Sequence, residues 1–327
     1  MLIMLVVCDN KVFAEKVLIC MSSKSKKKID KAKLCIWNWE EIQNDLLPEE
    51  VKTIVSKLFQ KKVLYQITCG IHGGWRYLFL VKNALGSQYD VLRSLCRAKV
   101  NLPDGVLCLA SSGKKFHGFK NRAWESIEGN IHLSVHLTPN KHFEHPIGFT
   151  VLSAVSALEA IDSLGCLKEK ASIKWVNDVL IDNAKVCGVL ANTYCEGDKI
   201  NSVVLGIGLN VEATPKIRGD LFVHRATSLL EHAYEGSKLR LGEVFKILLD
   251  RLECNYQKLL AGKYIELLDL YRERSIVMGE KVRIIADTDK AEELAKGRVI
   301  KIGDDLELYL DESEEPIRFG RLSHEGF

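Results

Sequence analysis

Residues 172–190 read SIKWVNDVLIDNAKVCGVL. Most of this stretch alternates apolar and polar residues, which predicts β-strands, and the Asp-Asn-Ala run at 182–184 predicts a turn. Lys174, Asn177, Asp178 and Lys185 interrupt the pattern with charged and amide groups. Because a half-buried lysine is costly unless an anion pairs with it, this arrangement suits a site for an anionic ligand.

The glycines that follow strengthen this interpretation. We expect Lys174 and Lys185 to lie on adjacent strands of one hairpin, so that both ammonium groups converge on one site. Two solvent-exposed strand lysines are the simpler alternative. Gly188 follows Lys185 by three residues, and GIGLN (206–210) places two glycines in an otherwise apolar strand. Glycine in a strand usually marks a close backbone approach, a bulge or a ligand, which favours the site.

The composition is that of an ordinary globular protein. The chain has 327 residues, 47% of them hydrophobic, which suits one large domain or two to three smaller ones. With 46 Lys+Arg against 43 Asp+Glu, the net charge of +3 gives no general nucleic-acid-binding signature. The ten cysteines form no CxxC pair and match no zinc spacing, so we expect reduced thiols in a cytoplasmic protein. The apolar N-terminus is too short for a typical secretory signal, and no run is long enough to span a membrane.

The hydrophobic periodicity predicts three parts. Residues 1–74 are expected to form an N-terminal extension of unknown role, with a buried first strand, a basic linker or helix start at 22–33, a helix at 48–59 and no helix-turn-helix pattern. Residues 75–275 combine strands such as IHLSVHL (131–137) with helices at 148–165 and 241–260. Residues 276–327 return to short strands, which predicts a small barrel-like β domain.

The motifs resemble those of the biotin–protein ligases. KWVNDVLIDNAKVCGVL resembles the KWPND…K…G-[IV]-L signature of that family, and VVLGIGLNV resembles its G-x-G-x-N strand. RATSLL (225–230) and GSQYDVL (86–92) correspond to further family segments. The resemblance runs from about residue 75 to the C-terminus. It implies an α+β fold with a mixed or antiparallel sheet of the biotin/lipoate ligase type, followed by an SH3-like β-barrel.

The resemblance also implies an activity. Such an enzyme uses ATP and Mg²⁺ to activate biotin as biotinyl-5′-AMP, and then transfers biotin to a lysine of a biotin carboxyl carrier domain. Both steps build negative charge on phosphate oxygens, so preorganised cations are the main catalytic asset. We expect a cytoplasmic monomer or homodimer without nucleic-acid or membrane partners.

Site residues follow from the resemblance position by position. The implied catalytic residues are Lys185, Lys174 and Arg122. The implied biotin contacts are Ser87, Gln88, His117, Gly118, Lys185 and Gly188. The implied nucleotide contacts are Lys120, Arg122, Trp124, Lys174, Asn177 and Asn210, with Asp178 as the Mg²⁺ ligand.

The glycine-rich loop departs from the family pattern, which is usually G-[RK]-G-R-x-G-R-x-W. Here the loop reads GKKFHGFKNRAW (113–124). Counting back from Trp124 matches Arg122 to the last arginine and Gly118 to the middle glycine, with His117 and Phe119 replacing the arginines on either side. Alternatively, the motif begins at residues 113–114 and three residues are inserted. In both alignments the loop stays basic.

Two other functions fit parts of this sequence. Lipoate–protein ligases share the fold and the adenylation chemistry, although the GIGLN strand and the C-terminal β domain favour biotin. A non-catalytic biotin- or nucleotide-binding protein would explain the altered loop, whereas Lys174, Lys185 and Asn210 favour an enzyme. Production of pyrophosphate from ATP only when biotin is present would distinguish these functions.

Overall fold

The structure, a computed structural model, describes residues 2–21, 37–60, 63–71, 73–219, 222–223, 225–234, 239–286 and 292–324. The main-body strands are β1 (Leu2–Cys8), β2 (Glu40–Ile42), β3 (Leu64–Ile71), β4 (Tyr77–Ala84), β5 (Val106–Gly113), β6 (Ile131–Leu137), β7 (Ala171–Lys174), β8 (Asp178–Ile181), β9 (Ala184–Glu196) and β10 (Lys199–Leu209). The C-terminal strands are β11 (Lys281–Ile285), β12 (Glu293–Ile302), β13 (Leu308–Leu310) and β14 (Arg321–His324). The α-helices are α1 (Lys11–Leu18), α2 (Glu49–Leu58), α3 (Gln88–Arg97), α4 (Gly148–Asp162), α5 (Leu241–Leu260) and α6 (Tyr264–Glu273).

The first ten strands form one mixed sheet in the order β2-β3-β1-β4-β5-β6-β10-β9-β8-β7. β4 pairs in parallel with β1 and β5, and the other neighbours pair antiparallel. This arrangement confirms the expected α+β fold with a mixed sheet. The strands before residue 74 continue the same sheet, while the domain boundary placed there stays a prediction. The predicted basic linker at 22–33 lies outside the described residues.

Helices cover both faces of this sheet. α1, α4, α5 and α6 pack on one face, and α2 and α3 pack on the other. The alternation in β6 predicted one apolar and one polar face, yet all seven of its residues are buried because both faces are covered. α4 is buried on nearly all sides, since it lies between the sheet and the helices α5 and α6. In the described part of the chain no helix is both long and apolar enough to cross a bilayer.

The C-terminal strands form a separate four-stranded sheet in the order β13-β12-β11-β14. The expected closed SH3-like barrel is not found among the described strands, because β13 and β14 stand at opposite edges of this sheet. One of the short apolar runs in this part, PIRFG (316–320), forms only an isolated bridge, between Ile317 and Leu308. Gly320, with a φ of +128°, interrupts the extended run, and the last strand begins one residue later.

The C-terminal sheet is joined to the edge of the main sheet by side-chain and backbone contacts. The Trp175 indole N–H donates to the carbonyl of Leu306 at 2.6 Å. Arg272, in α6, pairs with Asp304 at 2.7 Å between Nη2 and Oδ1. These contacts bring the start of β14 close to the open face of the main sheet.

Candidate active site

A cavity of about 220 Å³ lies on the α3 face of β6, β9 and β10. The strands carry small residues there: Ser134 pairs with Gly206, and Gly208 pairs with Gly188 across the sheet. Val204, two residues before Gly206, still packs in the core beneath α2 and α3. The open face therefore begins where the helices end and the side chains become small.

Trp124 lies directly over the glycines of this face. A Cβ at Gly208 would overlap the Trp124 indole, and a Cβ at Gly188 would lie 3.4 Å from its Cζ3 atom. The prediction that these glycines permit a close approach is confirmed, and the approaching group is the indole. The Trp124 Nε1–H donates to His132 Nδ1 at 3.3 Å, and the His132 Nε2–H donates to the Ile127 carbonyl at 3.0 Å. Burial lowers the pKa of His132 to about 4, so the ring is neutral at pH 7 and Nδ1 can accept.

Lys185 and Asp178 form an ion pair at the cavity wall. The distance from Lys185 Nζ to Asp178 Oδ1 is 2.6 Å, and the two side chains are 21% and 17% exposed. The same Nζ lies 5.7 Å from the Trp124 ring centroid. The costly half-buried lysine thus has a protein anion beside it, and it also faces the cavity. An anionic ligand would share Lys185 with Asp178.

Residues of the segment 225–230 form hydrogen bonds with the backbone of Lys185 and with the Asn210 side chain. The Lys185 N–H donates to the Arg225 carbonyl at 3.0 Å, and the Thr227 N–H donates to the Lys185 carbonyl at 2.9 Å. The Asn210 side-chain amide donates to the Thr227 carbonyl at 2.9 Å and accepts from Asn130 at 3.4 Å. Asn210 therefore lines the cavity with an amide that already holds the surrounding backbone in place.

Lys174 does not join Lys185. The expectation that the two lysines lie on adjacent strands is wrong, because β8 lies between β7 and β9. The chain turns twice within the opening stretch, at 175–177 and at 182–183. The Lys174 ammonium donates to the carbonyl of Phe222 at 2.5 Å, and the side chain is absent from the cavity lining. Its catalytic and nucleotide-binding roles stay predictions.

The glycine-rich loop folds as a compact hairpin. The Gly113 N–H donates to the Ser126 carbonyl at 3.3 Å, and the Gly118 N–H donates to the Arg122 carbonyl at 2.7 Å. At the tip, Lys120 has a left-handed φ of 52° and is not among the residues that line the cavity. Residues 119–122, which we call the hairpin lip, are exposed at the cavity mouth. The glycine-rich loop is thus a hydrogen-bonded structure whose tip is open to solvent.

The first turn of α3 supplies the opposite wall. Ser87 occupies the N-cap position without a side-chain capping hydrogen bond and lines the cavity, and the Tyr89 ring packs over Gly206. Gln88 is only 1% exposed, and neither its amide nitrogen nor its oxygen has a hydrogen-bond partner. A buried polar group without a partner is costly, which marks this amide as a candidate for ligand contact.

His117 ties the hairpin to α3. Its Nε2 lies 2.7 Å from Asp90 Oδ2, and its Nδ1 lies 2.9 Å from the Gly118 carbonyl oxygen. Asp90 also pairs with Arg93 at 3.3 Å. His117, which replaces an arginine of the family pattern in the alignment counted back from Trp124, therefore links the loop to the helix whose first turn follows Ser87.

The structure brings most of the sequence-predicted site residues to one cavity. Those that line it are Ser87, His117, Gly118, Arg122, Trp124, Asn177, Asp178, Lys185, Gly188 and Asn210. Gln88, Lys120 and Lys174 do not. Within the described ranges, no cluster of three or more His, Cys, Asp or Glu side chains could hold a metal ion.

Other lining residues were missed by sequence reasoning. They include Tyr89, Ser134, Gly206, Gly208, Ile217, Arg218 and Arg321. The alternation of polar residues at 132–136 and the two glycines at 206 and 208 were usable signals, since residues of one parity share a sheet face. No local sequence pattern indicates that Arg321 lines the cavity. It lies 111 residues after Asn210 in the sequence, and the C-terminal sheet brings it to the cavity.

Comparisons with known proteins agree with this geometry. A model of the Biotin/lipoate A/B protein ligase family matches residues 99–210. The bifunctional ligase/repressor BirA of Bacillus subtilis (strain 168) is 30% identical over 201 residues, which cover 60% of this chain and 61% of that protein. The biotin–[acetyl-CoA-carboxylase] ligase of Mycobacterium tuberculosis is 29% identical over 223 residues, covering 66% of this chain and 77% of that protein.

A solved structure shares the fold over most of this chain. It is the biotin protein ligase from Aquifex aeolicus in complex with biotin and ATP, with a TM-score of 0.60 and 25% sequence identity. The match covers 75% of this chain and 97% of that chain. Over these regions the chain is similar to proteins of the biotin/lipoate A/B protein ligase family. It spans about three fifths of the length of the Bacillus relative, 61%.

Proposed function

We propose that this protein is an ATP-dependent biotin–protein ligase. It converts biotin to biotinyl-5′-AMP and transfers the biotinyl group to a lysine of a biotin carboxyl carrier domain of a biotin-dependent carboxylase. The observation that carries this proposal is Lys185, which lies on a cavity wall 2.6 Å from Asp178 within the region matched by the family. The Aquifex ligase, whose structure contains biotin and ATP, supports it through the shared fold.

The reaction has two steps. In the first, a biotin carboxylate oxygen attacks the α-phosphorus of ATP, a P–O bond forms, and the bond to the β-phosphate breaks as pyrophosphate leaves. In the second, the uncharged amine of the acceptor lysine attacks the acyl carbon, and the acyl–oxygen bond breaks to release AMP. The amine loses its proton to solvent. Negative charge grows on phosphate oxygens in both steps, so a fixed cation lowers both barriers.

Lys185 is the cation best placed for this role. Its ammonium is held between Asp178 and the Trp124 ring, so it is oriented before substrate binds. Arg122 lines the same cavity from the hairpin and provides a second cation for the nucleotide phosphate. Trp124 offers an apolar ring beside both groups, which suits stacking on adenine or packing on biotin.

The α3 wall is assigned to the biotin ring. Ser87 lines the cavity, and the Gln88 amide next to it is buried without a hydrogen-bond partner. The ureido group of biotin carries both donors and acceptors, so it could satisfy such an amide after a small shift. His117, Gly118 and Gly188 line the same cavity as Ser87 and Lys185, which fits the predicted biotin contacts.

The remaining contacts are assigned to the nucleotide. Asn177 and Asn210 line the cavity near Lys185, and Lys120 and Lys174 would have to move to reach it. Asp178 is the proposed Mg²⁺ contact, although its Oδ1 atom already pairs with Lys185. Magnesium usually binds through one or two carboxylates together with substrate phosphates, so it would enter with ATP.

The setting of the reaction is part of the same proposal. We infer a cytoplasmic enzyme, monomeric or homodimeric, because the ten cysteines suit reduced thiols. One relative is named a repressor as well as a ligase. We propose no such role here: the described N-terminal strands pair into the main sheet, and α2 is followed by a strand.

A substrate test separates this proposal from its alternatives. The purified protein should release pyrophosphate from ATP when biotin is added, and not with lipoate or with ATP alone. Release with lipoate only would identify a lipoate–protein ligase, which the family description also includes. Binding of biotin without pyrophosphate release would identify a non-catalytic binding protein.

A further inference from the structure

Two exposed segments contribute residues to the cavity lining. One is the hairpin lip, where Phe119 is 51% exposed and Arg122 lines the cavity. The other consists of residues 216–218, which we call the second lip. There Ile217 is 37% exposed, with exposed Lys216 and Arg218 on either side, and Ile217 and Arg218 line the same cavity. Both lips thus combine an exposed apolar side chain with neighbouring cations.

The cavity lining contains more cationic side chains than carboxylates. Four cations and two carboxylates line the cavity: Arg122, Lys185, Arg218 and Arg321 against Glu125 and Asp178. Asp178 is already paired with Lys185. Among the ion pairs found in the described residues, none uses Arg122, Lys216 or Arg218. Four cations against two carboxylates leave the cavity lining net positive, on a chain whose net charge is +3.

The positive charge affects the second step of the proposed reaction, the transfer of biotin to the acceptor lysine. The inference therefore rests on the proposed function. The acceptor lysine is itself cationic in solution and must pass two cationic lips to reach the adenylate. Like charges across an interface disfavour association unless the partner supplies the opposite charge. A productive acceptor must therefore surround its lysine with carboxylates.

We propose that the two lips form the docking surface for an acidic acceptor domain. Carboxylates flanking the acceptor lysine face the second lip at Lys216 and Arg218, and apolar residues beside that lysine contact Phe119 and Ile217. Because the lip cations stay in water, they act mainly on the rate of association, which depends on salt. The second lip therefore selects the protein substrate, and the cavity interior performs the adenylation.

The test is the variant Lys216→Glu, at an exposed lysine outside the cavity lining, compared with Lys99→Glu. Lys99 is an exposed lysine just beyond the far end of α3, so the net charge changes equally. Two rates are measured: biotin-dependent pyrophosphate release without acceptor, and biotin transfer to a purified acidic biotin carboxyl carrier domain. We expect the lip variant to raise the acceptor KM about tenfold and to weaken the salt dependence of transfer, with pyrophosphate release unchanged. The control variant should match the wild type in both assays.

The alternative outcomes are distinct. An unchanged acceptor KM in the lip variant would overturn the docking surface. A raised KM for ATP with an unchanged acceptor KM would show that this lysine serves the nucleotide, and would overturn it too. Failure of the wild-type protein to release pyrophosphate with biotin would instead remove the proposed function, on which the docking surface depends.

Discussion

We call the surface of strands β6, β9 and β10 beneath the cavity, with Lys185 and Asn210, the floor. The floor and the two lips differ in how their polar groups are held. On the floor, Lys185 is paired with Asp178, and Asn210 is hydrogen-bonded to its neighbours. On the lips, Phe119, Ile217 and Arg218 are exposed, and local contacts order the hairpin tip, such as the Arg122 Nε–H that donates to the Phe119 carbonyl at 2.9 Å. A fixed floor is what charge stabilisation requires, since groups that are already oriented need no rearrangement during reaction. Exposed lips suit steps in which substrates enter and leave the cavity.

The largest effect should come from the floor. Lys185→Ala removes the oriented cation, and we expect biotin-dependent pyrophosphate release to fall about a hundredfold or more, roughly 3 kcal/mol in activation free energy. Steady-state pyrophosphate release with saturating biotin and ATP measures this loss. Lys199→Ala is the matched control, because Lys199 is an exposed lysine at the far end of the same strand pair.

The folded state of this variant has to be verified, because the substitution leaves Asp178 without the ammonium beside it. Its thermal unfolding midpoint should therefore be recorded with that of the wild type. A well-folded Lys185→Ala protein that turns over at the wild-type rate would contradict the role given to the floor.

The second prediction concerns acid stability and distinguishes the floor from the lips. Burial lowers the pKa of His132 in the folded protein to about 4, from an ordinary value of 6.5. Above pH 6.5 the ring is neutral in both the folded and the unfolded states. As the pH falls from 6.5 to 4, the unfolded chain binds the proton first, so the free energy of unfolding decreases. At 1.36 kcal/mol per pKa unit, the loss approaches about 3 kcal/mol at pH 4.

Urea unfolding at pH 7.5, 6 and 5 measures this loss. His132→Gln should show a smaller decrease than the wild type, because glutamine can accept from Trp124 and donate to Ile127 without titrating in this range. His142→Gln, at an exposed position, should follow the wild type. Equal pH dependence in the wild type and His132→Gln would show that the buried imidazole is not responsible.

The floor was also the part that the sequence predicted best. Alternation at 131–137 and the glycines of GIGLN identified strands and close approach correctly, since both signals are local. The placement of Lys174 failed because a turn at 175–177 inserts β8 between the two lysines. Such a turn changes which strands are neighbours without changing the hydrophobic pattern.

Features that depend on distant contacts were not predicted. The pairing of β1 with β4 and the approach of Arg321 to the cavity join residues far apart in the chain. Helix α1 was missed beside the apolar first strand, and α6 was missed directly after α5. The second lip has no secondary structure, so it left no periodic signal. Local sequence patterns therefore predicted the floor, whereas the lips could be located only from tertiary contacts.

The smallest effect should come from the hairpin lip. Counting back from Trp124, Phe119 stands where the family pattern has an arginine, and its ring is 51% exposed at the cavity mouth. A phenyl ring cannot donate a charge-assisted hydrogen bond to the phosphate of the adenylate. We therefore expect the wild-type protein to release some biotinyl-AMP and to biotinylate lysines of a bystander protein when no acceptor is present.

Phe119→Arg should restore a cation at this position and reduce the background. Because the site is largely exposed, the gain is that of a surface ion pair, up to about 1 kcal/mol, or at most about fivefold less bystander labelling. Mass-spectrometric counting of biotinylated lysines measures it. Ile265→Arg adds the same charge at a similarly exposed apolar residue of α6 outside the cavity lining, and should leave the background unchanged. If the wild-type protein labels no bystander, another cation retains the adenylate and the alignment with three inserted residues becomes the better one.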